Sequence, residues 1–335
     1  NLKEDAKEFL NDWTIRSTVK KFSDFLEHPV FIITTKKDEE TKIEEENEEQ
    51  INSQKAIWLR AKKDIKKDEY QEFYKRLSHG MDNASEIIHY NAEGAIEFKA
   101  LLFIPEKRPF DLMTNHDPKA HLNLYVQRVF ISNEFDNLLP GYLRFVKGVV
   151  DSSDLPLNVS REILQENPML DKIKNNLVTR ILKTIKQMKQ KDYDKFLTFH
   201  DEFSSILKEG LDSDFTNKEK IAELLLFEST SKQANEKVSL DDYIENMSQD
   251  QTDILYLVGE NRNQIENSPY LETYKSKEQE VLLMTDPIDE FVIPRIMDFK
   301  GKKLKAVNKG DLEDQDSLKK EQKKFEGYIG FAKKL

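Results

Sequence analysis

The segment LPLNVSREILQ, residues 155–165, places the guanidinium of Arg161 beside the carboxylate of Glu162 among apolar residues. Arginine is permanently charged, and its planar set of donors suits the oxygens of a phosphate. Gln165 follows one helical turn later and could contact the same anion, while Glu162 could orient the segment and Asn158 could cap its start. The competing interpretation is a surface ion pair, which contributes little to stability and leaves Gln165 without a role. Spacing alone favours that second interpretation.

Motifs for other kinds of chemistry are missing from the sequence. Glycine accounts for 10 of 335 residues, and neither G-x-x-x-x-G-K-S/T nor G-x-G-x-x-G occurs. The motifs H-E-x-x-H and G-x-S-x-G are missing as well. His116, Asp117 and His121 could bind a metal ion, but the sequence supplies no closed ligand set, so a polar loop is the better interpretation. The many acidic residues leave a paired-carboxylate hydrolase open as an alternative, although nothing marks one pair as buried.

Composition excludes several partners. The formal net charge of -11 argues against a nucleic-acid partner, because such proteins carry a basic surface. The absence of cysteine excludes disulfides, thiolate metal sites and a cysteine nucleophile, and is typical of a reducing compartment. No apolar run approaches the roughly 18 residues of a membrane span, and the N-terminus lacks the layout of a signal peptide. We therefore expect a cytoplasmic protein without a membrane partner.

The N-terminal part of the chain alternates between patterned and charged segments. Apolar spacing predicts an amphipathic helix over residues 1–26, with Trp13 and Phe22 among its apolar positions. The strand PVFIITT follows, and the nearly apolar-free run 36–54 then predicts a solvated linker. After this boundary, KAIWLR is predicted to be a strand that carries Trp58, and DEYQEFYKRL a short helix.

The central part of the chain combines strands with one long helix. SEIIHYNAEGAIEFKALLFIP predicts a β-hairpin, and HLNLYVQRVFIS and YLRFVKGVVDS predict further strands or buried segments. The pair Asn167–Pro168 predicts the start of a helix, whose apolar residues repeat at helical spacing over 170–188. Pro156 disfavours a central strand, so the segment that carries Arg161 is predicted to be an ordered connecting loop.

A second α/β pattern occupies the C-terminal part. DILYLVG and EVLLMT are predicted strands separated by a polar helical segment, and DPIDEFVIPRIMDF is a predicted helix bent at Pro294. Strands that alternate with helices favour a parallel sheet, and a chain of 335 residues is long enough for two or more cores. The fold class is therefore α/β in several domains. Phe291 could form an exposed apolar patch, but core is the better interpretation for it, for Trp58 and for Phe130.

Many segments of this sequence resemble segments of the heat shock protein 90 chaperone family, most closely of its bacterial type. The resemblance extends from one end of the chain to the other, and SSDLPLNVSREILQ is its most specific part. Other matching segments are LKEDAKEFL, KKFSDFLEHPV, AIWLR, DEYQEFYK, LLFIPEKRPFDL, LYVQRVFI, LLLFEST, SLDDYIENM and TDPIDEF. Gln127 stands where the family's cytosolic eukaryotic members have a basic residue, which favours the bacterial type.

The resemblance implies a domain layout of two layered α/β sandwiches joined by helices. The chain also lacks an initiator Met, so we expect it to be a segment of a longer protein. The implied parts are the tail of an N-terminal ATP-binding domain (1–35), an acidic charged linker (36–54), a large α/β subdomain of the middle domain (55–205), a helical connector (206–235), a small α/β subdomain (236–309) and the first helix of a C-terminal dimerisation domain (310–335).

The same resemblance assigns a role to the arginine segment and overturns the surface-pair interpretation. It implies that Arg161 reaches the γ-phosphate of ATP held by the N-terminal domain, with Gln165 as a second contact. Asn158 and Glu162 correspond to supporting residues of the loop. A charge delivered by a separate module in this way stabilises the transition state of phosphoryl transfer.

The resemblance also implies two kinds of contact surface. Arg128 and Phe130 match residues that contact the ATP-binding domain. Trp58, Glu290 and Phe291 match residues involved with client proteins, the unfolded or partly folded polypeptides that a chaperone binds. Bacterial members of the family have Trp at the position of Phe291, so this chain departs from the pattern there.

These assignments predict the middle segment of an ATP-dependent chaperone of the stress response, in which hydrolysis is coupled to conformational closure. ATP and Mg are expected to bind mainly to the N-terminal domain, and the full-length protein to form a homodimer through its C-terminal domain. This segment alone is expected to be inactive as an ATPase. The alternative is a module that holds polypeptides without ATP. A third candidate is the self-contained carboxylate hydrolase, which no sequence motif supports.

Overall fold

The computed structural model describes residues 3, 7, 9–37, 44–80, 82–94, 96–109, 112, 122–133, 138–155, 167–248 and 250–308. The chain divides into two compact units, Asn1–Phe203 and Ser204–Leu335. Four predicted site residues lie outside the described residues, namely Asn158, Arg161, Glu162 and Gln165. His116 and His121, the histidines considered as metal ligands, lie outside the described residues as well.

The first unit is built on a mixed sheet of five described strands in the order β3-β4-β7-β5-β6. The hairpin predicted from the sequence is confirmed, since β3 and β4 pair antiparallel. Strand β7 pairs antiparallel with β4 and parallel with β5. All residues of β7 are buried, as expected for a strand inside a sheet covered on both faces. The five strands are β3 (Ala84–Ala92), β4 (Phe98–Pro105), β5 (Leu122–Val126), β6 (Val129–Ser132) and β7 (Lys147–Ser152).

Four described helices begin in the first unit, and α3 fits its prediction. The side-chain oxygen of Asn167 accepts a hydrogen bond from the backbone N–H of Met169 at 2.9 Å, which caps the helix before Pro168. The predicted apolar stripe is buried along the helix, from Leu170 to Met188. The helices are α1 (Asp12–Phe22), α2 (Lys67–Ser78), α3 (Pro168–Lys191) and α4 (Tyr193–Lys208), the last of which contains the boundary between the two units.

Helix α1 is shorter than the predicted span of 1–26. The side chain of Asn11 caps it by accepting from the N–H of Trp13 at 2.9 Å, and the backbone N–H of Ser23 ends it with a bond to the carbonyl of Val19. None of its residues is fully buried, and Trp13 is 75% exposed. Apolar spacing predicted the helix correctly but did not predict how little of its apolar side the rest of the unit covers.

The acidic run contains a strand that the linker prediction did not include. Strand β1 (Phe31–Lys37) pairs antiparallel with β2 (Glu44–Gln50), and the side chains of Arg16 and Glu49 form an ion pair at 2.9 Å. At the end of β2, the side chain of Asn52 is buried, accepts from the N–H of Val30 at 2.8 Å and donates to the carbonyl of His28 at 2.9 Å. Glutamate is a poor strand former, so these long-range contacts, which composition does not reveal, account for the difference.

The predicted strand KAIWLR is wrong, because Ile57–Leu59 forms a single 3-10 turn. The N–H groups of Leu59 and Arg60 bond to the carbonyls of Ala56 and Ile57, so the segment satisfies its own backbone without a neighbouring strand. A short apolar run of this kind fits a buried turn as well as a strand.

The second unit contains a sheet of six described strands in the order β12-β13-β10-β11-β8-β9. The predicted strands DILYLVG and EVLLMT are β10 and β11, and they pair in parallel. Strand β13 is also parallel to β10 on its other side, whereas β8 pairs antiparallel with β11. The strands are β8 (Leu226–Ser229), β9 (Lys237–Ser239), β10 (Ile254–Val258), β11 (Leu282–Met284), β12 (Asp298–Phe299) and β13 (Lys302–Ala306).

Short helices connect these strands, and the last one bends as predicted. Helix α10 changes into a 3-10 turn at Ile293–Arg295, which contains Pro294. The described helices are α5 (Gly210–Ser213), α6 (Lys218–Ala222), α7 (Leu240–Asn246), α8 (Arg262–Glu266), α9 (Glu272–Ser276) and α10 (Asp289–Val292). Among the helices that the structure describes, none is both long enough and apolar enough to cross a membrane.

Candidate functional site

The described residues on both sides of the arginine segment are firmly anchored. Before it, the carboxylate of Asp154 accepts from the backbone N–H of Glu97 at 2.7 Å, and the hydroxyl of Ser152 donates to the carbonyl of Glu97 at 3.2 Å. Leu155 is buried, and beyond the segment the capped helix α3 begins. The predicted loop residues 158–165 therefore connect the end of a buried central strand to the start of a long helix.

Asp151 in strand β7 links three separate parts of the first unit. Its buried carboxylate accepts from the indole N–H of Trp58 at 2.9 Å and from the backbone N–H of Arg128 at 3.2 Å. Charge-assisted hydrogen bonds of this kind are stronger than neutral ones. Asp151 thus fixes the turn that contains Arg128 and the buried tryptophan to the strand that precedes residues 156–166.

Arg128 lies in the two-residue turn of the β5–β6 hairpin. Both turn residues have positive φ, 50° for Gln127 and 66° for Arg128, a conformation that glycine and asparagine adopt most easily. The backbone N–H of Gln127 donates to the carbonyl of Ser152 at 3.2 Å, so both turn residues are bonded to β7. The strain of this turn is offset by its contacts with the end of β7.

The two predicted interdomain residues both contact the range 1–35. The ring of Phe130 is 5.9 Å from that of Phe22 in α1, measured between ring centroids. The guanidinium of Arg128 lies 4.0 Å from the carboxylate of Glu27. Phe130 is partly buried against the same core cluster as Trp58. Arg128 and Phe130 therefore both lie against side chains of the range 1–35, and their role as interdomain contacts stays a prediction.

Trp58 is fully buried, which confirms the core interpretation made from its sequence position. Its ring packs against Phe25 at 4.7 Å and Tyr125 at 5.0 Å. Its backbone carbonyl is 3.0 Å from Nε2 of His89, and Nδ1 of His89 is 2.7 Å from the hydroxyl of Tyr70. In this structure Trp58 offers no surface to a client protein, so its predicted client role stays a prediction.

Burial changes the acid–base properties of this cluster. Desolvation lowers the pKa of His89, although the Trp58 carbonyl partly opposes the change. Burial likewise raises the pKa of Tyr70 and Tyr125. The surroundings of His89 therefore favour the neutral form of its imidazole.

Phe291 in the second unit is 71% exposed, so the core interpretation was wrong for this residue. It lies on α10 beside a crevice of about 560 Å³ at the carboxyl ends of the parallel strands β10 and β11. Glu290, the second predicted client residue, lines the same crevice. The structure brings these two residues together, whereas Trp58 belongs to the other unit.

A buried ion pair holds the helix that carries Phe291. The ammonium of Lys208 lies 2.6 Å from the carboxylate of Asp289 and 3.4 Å from that of Asp286. The side chains of Lys208 and Asp289 are 5% and 1% exposed. Burial raises the pKa of Asp289, and the neighbouring Lys208 opposes that increase. Removing either member would leave a buried charge without compensation.

Several of these residues were missed by sequence reasoning. Asp151 stands in the matching segment FVKGVVDSS, and an acidic residue directly after an apolar predicted strand is a signal that could have singled it out. His89 and Lys208 carry no comparable signal, because their partners are far away in the sequence. Among the described residues no cluster of three or more His, Asp or Glu side chains is placed to hold a metal ion.

Comparison with known proteins identifies the family. The family model described as Hsp90 protein matches residues 35–334. The chain belongs to the Hsp90 family. The Chaperone protein HtpG of Geobacter metallireducens is 46% identical to it over 342 residues, which cover 98% of this chain and 52% of that protein. The resemblance to the family is thereby confirmed, and the helices and sheets of the structure confirm the α/β fold class.

Two further relatives with the same name support the bacterial type. The Chaperone protein HtpG of Geobacter sulfurreducens is 47% identical over 323 residues, covering 93% of this chain and 50% of that protein. That of Aliivibrio fischeri is 44% identical over 328 residues, covering 97% and 52%. The chain spans about half the length of the curated Hsp90 relatives that it matches.

Proposed function

We propose that this chain is the middle segment of an ATP-dependent Hsp90 chaperone and completes an ATPase site shared with an N-terminal domain. The observation that carries the proposal is the contact of Arg128 and Phe130 with Glu27 and Phe22, which belong to the range assigned to the ATP-binding domain. These contacts lie beside the strand that leads into the Arg161 segment. A cytoplasmic location and a homodimer formed through a C-terminal domain are parts of the same proposal.

In this proposal Arg161 acts on the γ-phosphate of the substrate ATP. Its guanidinium stabilises the negative charge of the phosphoryl group in the transition state, and Gln165 donates a further hydrogen bond. Arginines delivered in this manner contribute roughly 10³- to 10⁵-fold to turnover in other phosphoryl-transfer enzymes. Glu162 and Asn158 hold the loop, while Mg²⁺ and most ATP contacts belong to the N-terminal domain.

Steady-state ATP hydrolysis by the full-length protein tests this role. We expect Arg161→Ala to reduce turnover at least about a hundredfold while ATP affinity changes little, because the residue acts mainly in the transition state. Arg76→Ala, which removes an exposed guanidinium in α2, is the matched control and should retain turnover. The 335-residue chain alone should show no turnover. Near-normal hydrolysis by Arg161→Ala would refute the composite site.

The second part of the proposal is client binding at Glu290 and Phe291. An aromatic ring exposed by 71% beside a crevice is suited to contact apolar segments of unfolded polypeptides. Trp58 contributes by holding Asp151 and the hairpin turn, and not by direct contact. The alternative, a polypeptide-holding module that works without ATP, predicts that Phe291→Ala abolishes chaperoning while Arg161→Ala has no effect. The proposed function predicts that both substitutions impair it.

A further inference from the structure

The crevice beside Phe291 combines apolar walls with negative charge. Its apolar lining consists of Tyr256, Val258, Pro287, Phe291, Pro294 and Ala306. Three carboxylates also line it, those of Glu260, Asp286 and Glu290, and no Lys or Arg is among its described lining residues. A site of about 560 Å³ with this lining is large enough for one or two side chains of a peptide.

The three carboxylates are not equivalent. Asp286 already lies 3.4 Å from the ammonium of Lys208. Glu260 and Glu290 are exposed and form no ion pair with any residue in the described part of the chain. Two negative charges therefore line the crevice beside its apolar walls without a cation among the described residues.

We propose that this crevice binds segments of unfolded polypeptide in which a Lys or Arg is next to apolar residues. The inference rests on the client-binding part of the proposed function and adds the chemistry that selects the segment. The cationic head pairs with Glu260 and Glu290, its methylene stem packs along Pro294, and the neighbouring apolar residue covers Phe291. The net charge of -11 favours the approach of cationic segments over acidic ones.

Fluorescence anisotropy with the 335-residue chain and three labelled peptides tests the inference. The peptides share one apolar sequence and differ at a central position, which is Lys, norleucine or Glu. We expect the Lys peptide to bind most tightly and the Glu peptide most weakly. Glu260→Gln and Glu290→Gln should each weaken the Lys peptide about threefold, and the double substitution about tenfold, as for partly exposed ion pairs. The norleucine peptide should bind all four proteins equally.

A matched control and two contrary outcomes complete the design. Glu272→Gln removes an exposed carboxylate of α9 outside the crevice and should leave all three affinities unchanged. Equal binding of the Lys and norleucine peptides, or unchanged affinity in the double variant, would overturn the charge preference while client binding stands. Unchanged binding of every peptide to Phe291→Ala would instead refute the client surface itself.

Discussion

The carboxylate of Asp151 is the group on which the geometry around Arg128 depends most. It accepts one hydrogen bond from the Trp58 indole at 2.9 Å and another from the Arg128 backbone at 3.2 Å. Asp151→Asn preserves the shape of the side chain but replaces one acceptor oxygen with an NH₂ group. Either the indole N–H of Trp58 or the backbone N–H of Arg128 then faces this NH₂ group, and that donor is left without an acceptor in a buried site.

The cost follows from these two bonds. A hydrogen bond to a charged group contributes roughly 1.5–3 kcal/mol, and a buried donor left without a partner costs roughly 1–3 kcal/mol. Because the remaining bond becomes neutral but persists, we expect Asp151→Asn to lower the free energy of unfolding of the first unit by about 2–4 kcal/mol. The positive φ angles of Gln127 and Arg128 would also lose one of their supporting contacts.

Chemical denaturation monitored by tryptophan fluorescence measures this effect directly. The chain has 2 tryptophans, Trp13 and Trp58, so in a Trp13→Phe background the signal comes from the indole bonded to Asp151. Asp154→Asn is the matched control, because its exposed carboxylate accepts a single backbone N–H. A loss in Asp151→Asn no larger than in this control would refute the assigned role. In the full-length protein, the proposed composite ATPase site predicts that Asp151→Asn also reduces ATP turnover.

Two further predictions concern buried charge. Burial lowers the pKa of His89, so the unfolded chain binds a proton at a higher pH than the folded chain. The stabilisation that neutral His89 contributes to the first unit should therefore be present above the unfolded pKa of about 6.5 and be lost as the pH falls below it. His89→Gln should flatten this pH dependence in urea titrations and the exposed control His28→Gln should not; an unchanged slope in His89→Gln would contradict the assignment. Lys208→Met should destabilise the second unit by about 3–5 kcal/mol, because it leaves Asp289 buried without a cation. Hydrogen exchange of the β10 and β11 amides measures this loss, and Lys277→Met is the exposed control. Equal exchange in both variants would argue against a stabilising role of the Lys208–Asp289 pair.

Much of the fold follows from local pattern. The hairpin of β3 and β4, the capped helix α3 and the parallel pair β10–β11 all come from periodicity and capping residues that act within a few positions of the chain. The strand β2 and the 3-10 turn at Trp58 do not. Their conformations depend on partners distant in sequence, such as Arg16 for β2 and Asp151 for Trp58, and no local signal specifies those partners.

The candidate site residues, in contrast, could not be predicted from local sequence pattern alone. The role of Arg161 came only from resemblance to the Hsp90 family, since spacing alone favoured a surface pair. Arg128 and Phe130 were also implied by resemblance, and the structure adds what holds them, namely the bonds of the turn to Asp151 and Ser152. A turn with two positive φ angles and no glycine cannot be foreseen from Gln127 and Arg128 themselves, because it is stable only when β7 supplies the acceptors.

Phe291 shows why an aromatic residue in an apolar run was assigned to the core and is nevertheless exposed. The buried positions of this segment are 289, 292, 293 and 296, the spacing of one helical face, and Glu290, Phe291 and Pro294 lie on the other. The inward face carries three apolar residues together with Asp289, an acidic residue that sequence rules place outside. It is buried because Lys208 on α4 supplies the compensating charge. The ion pair is thus part of the packing that keeps this face inward and Phe291 exposed, so Lys208→Met should weaken peptide binding even though Lys208 does not line the crevice.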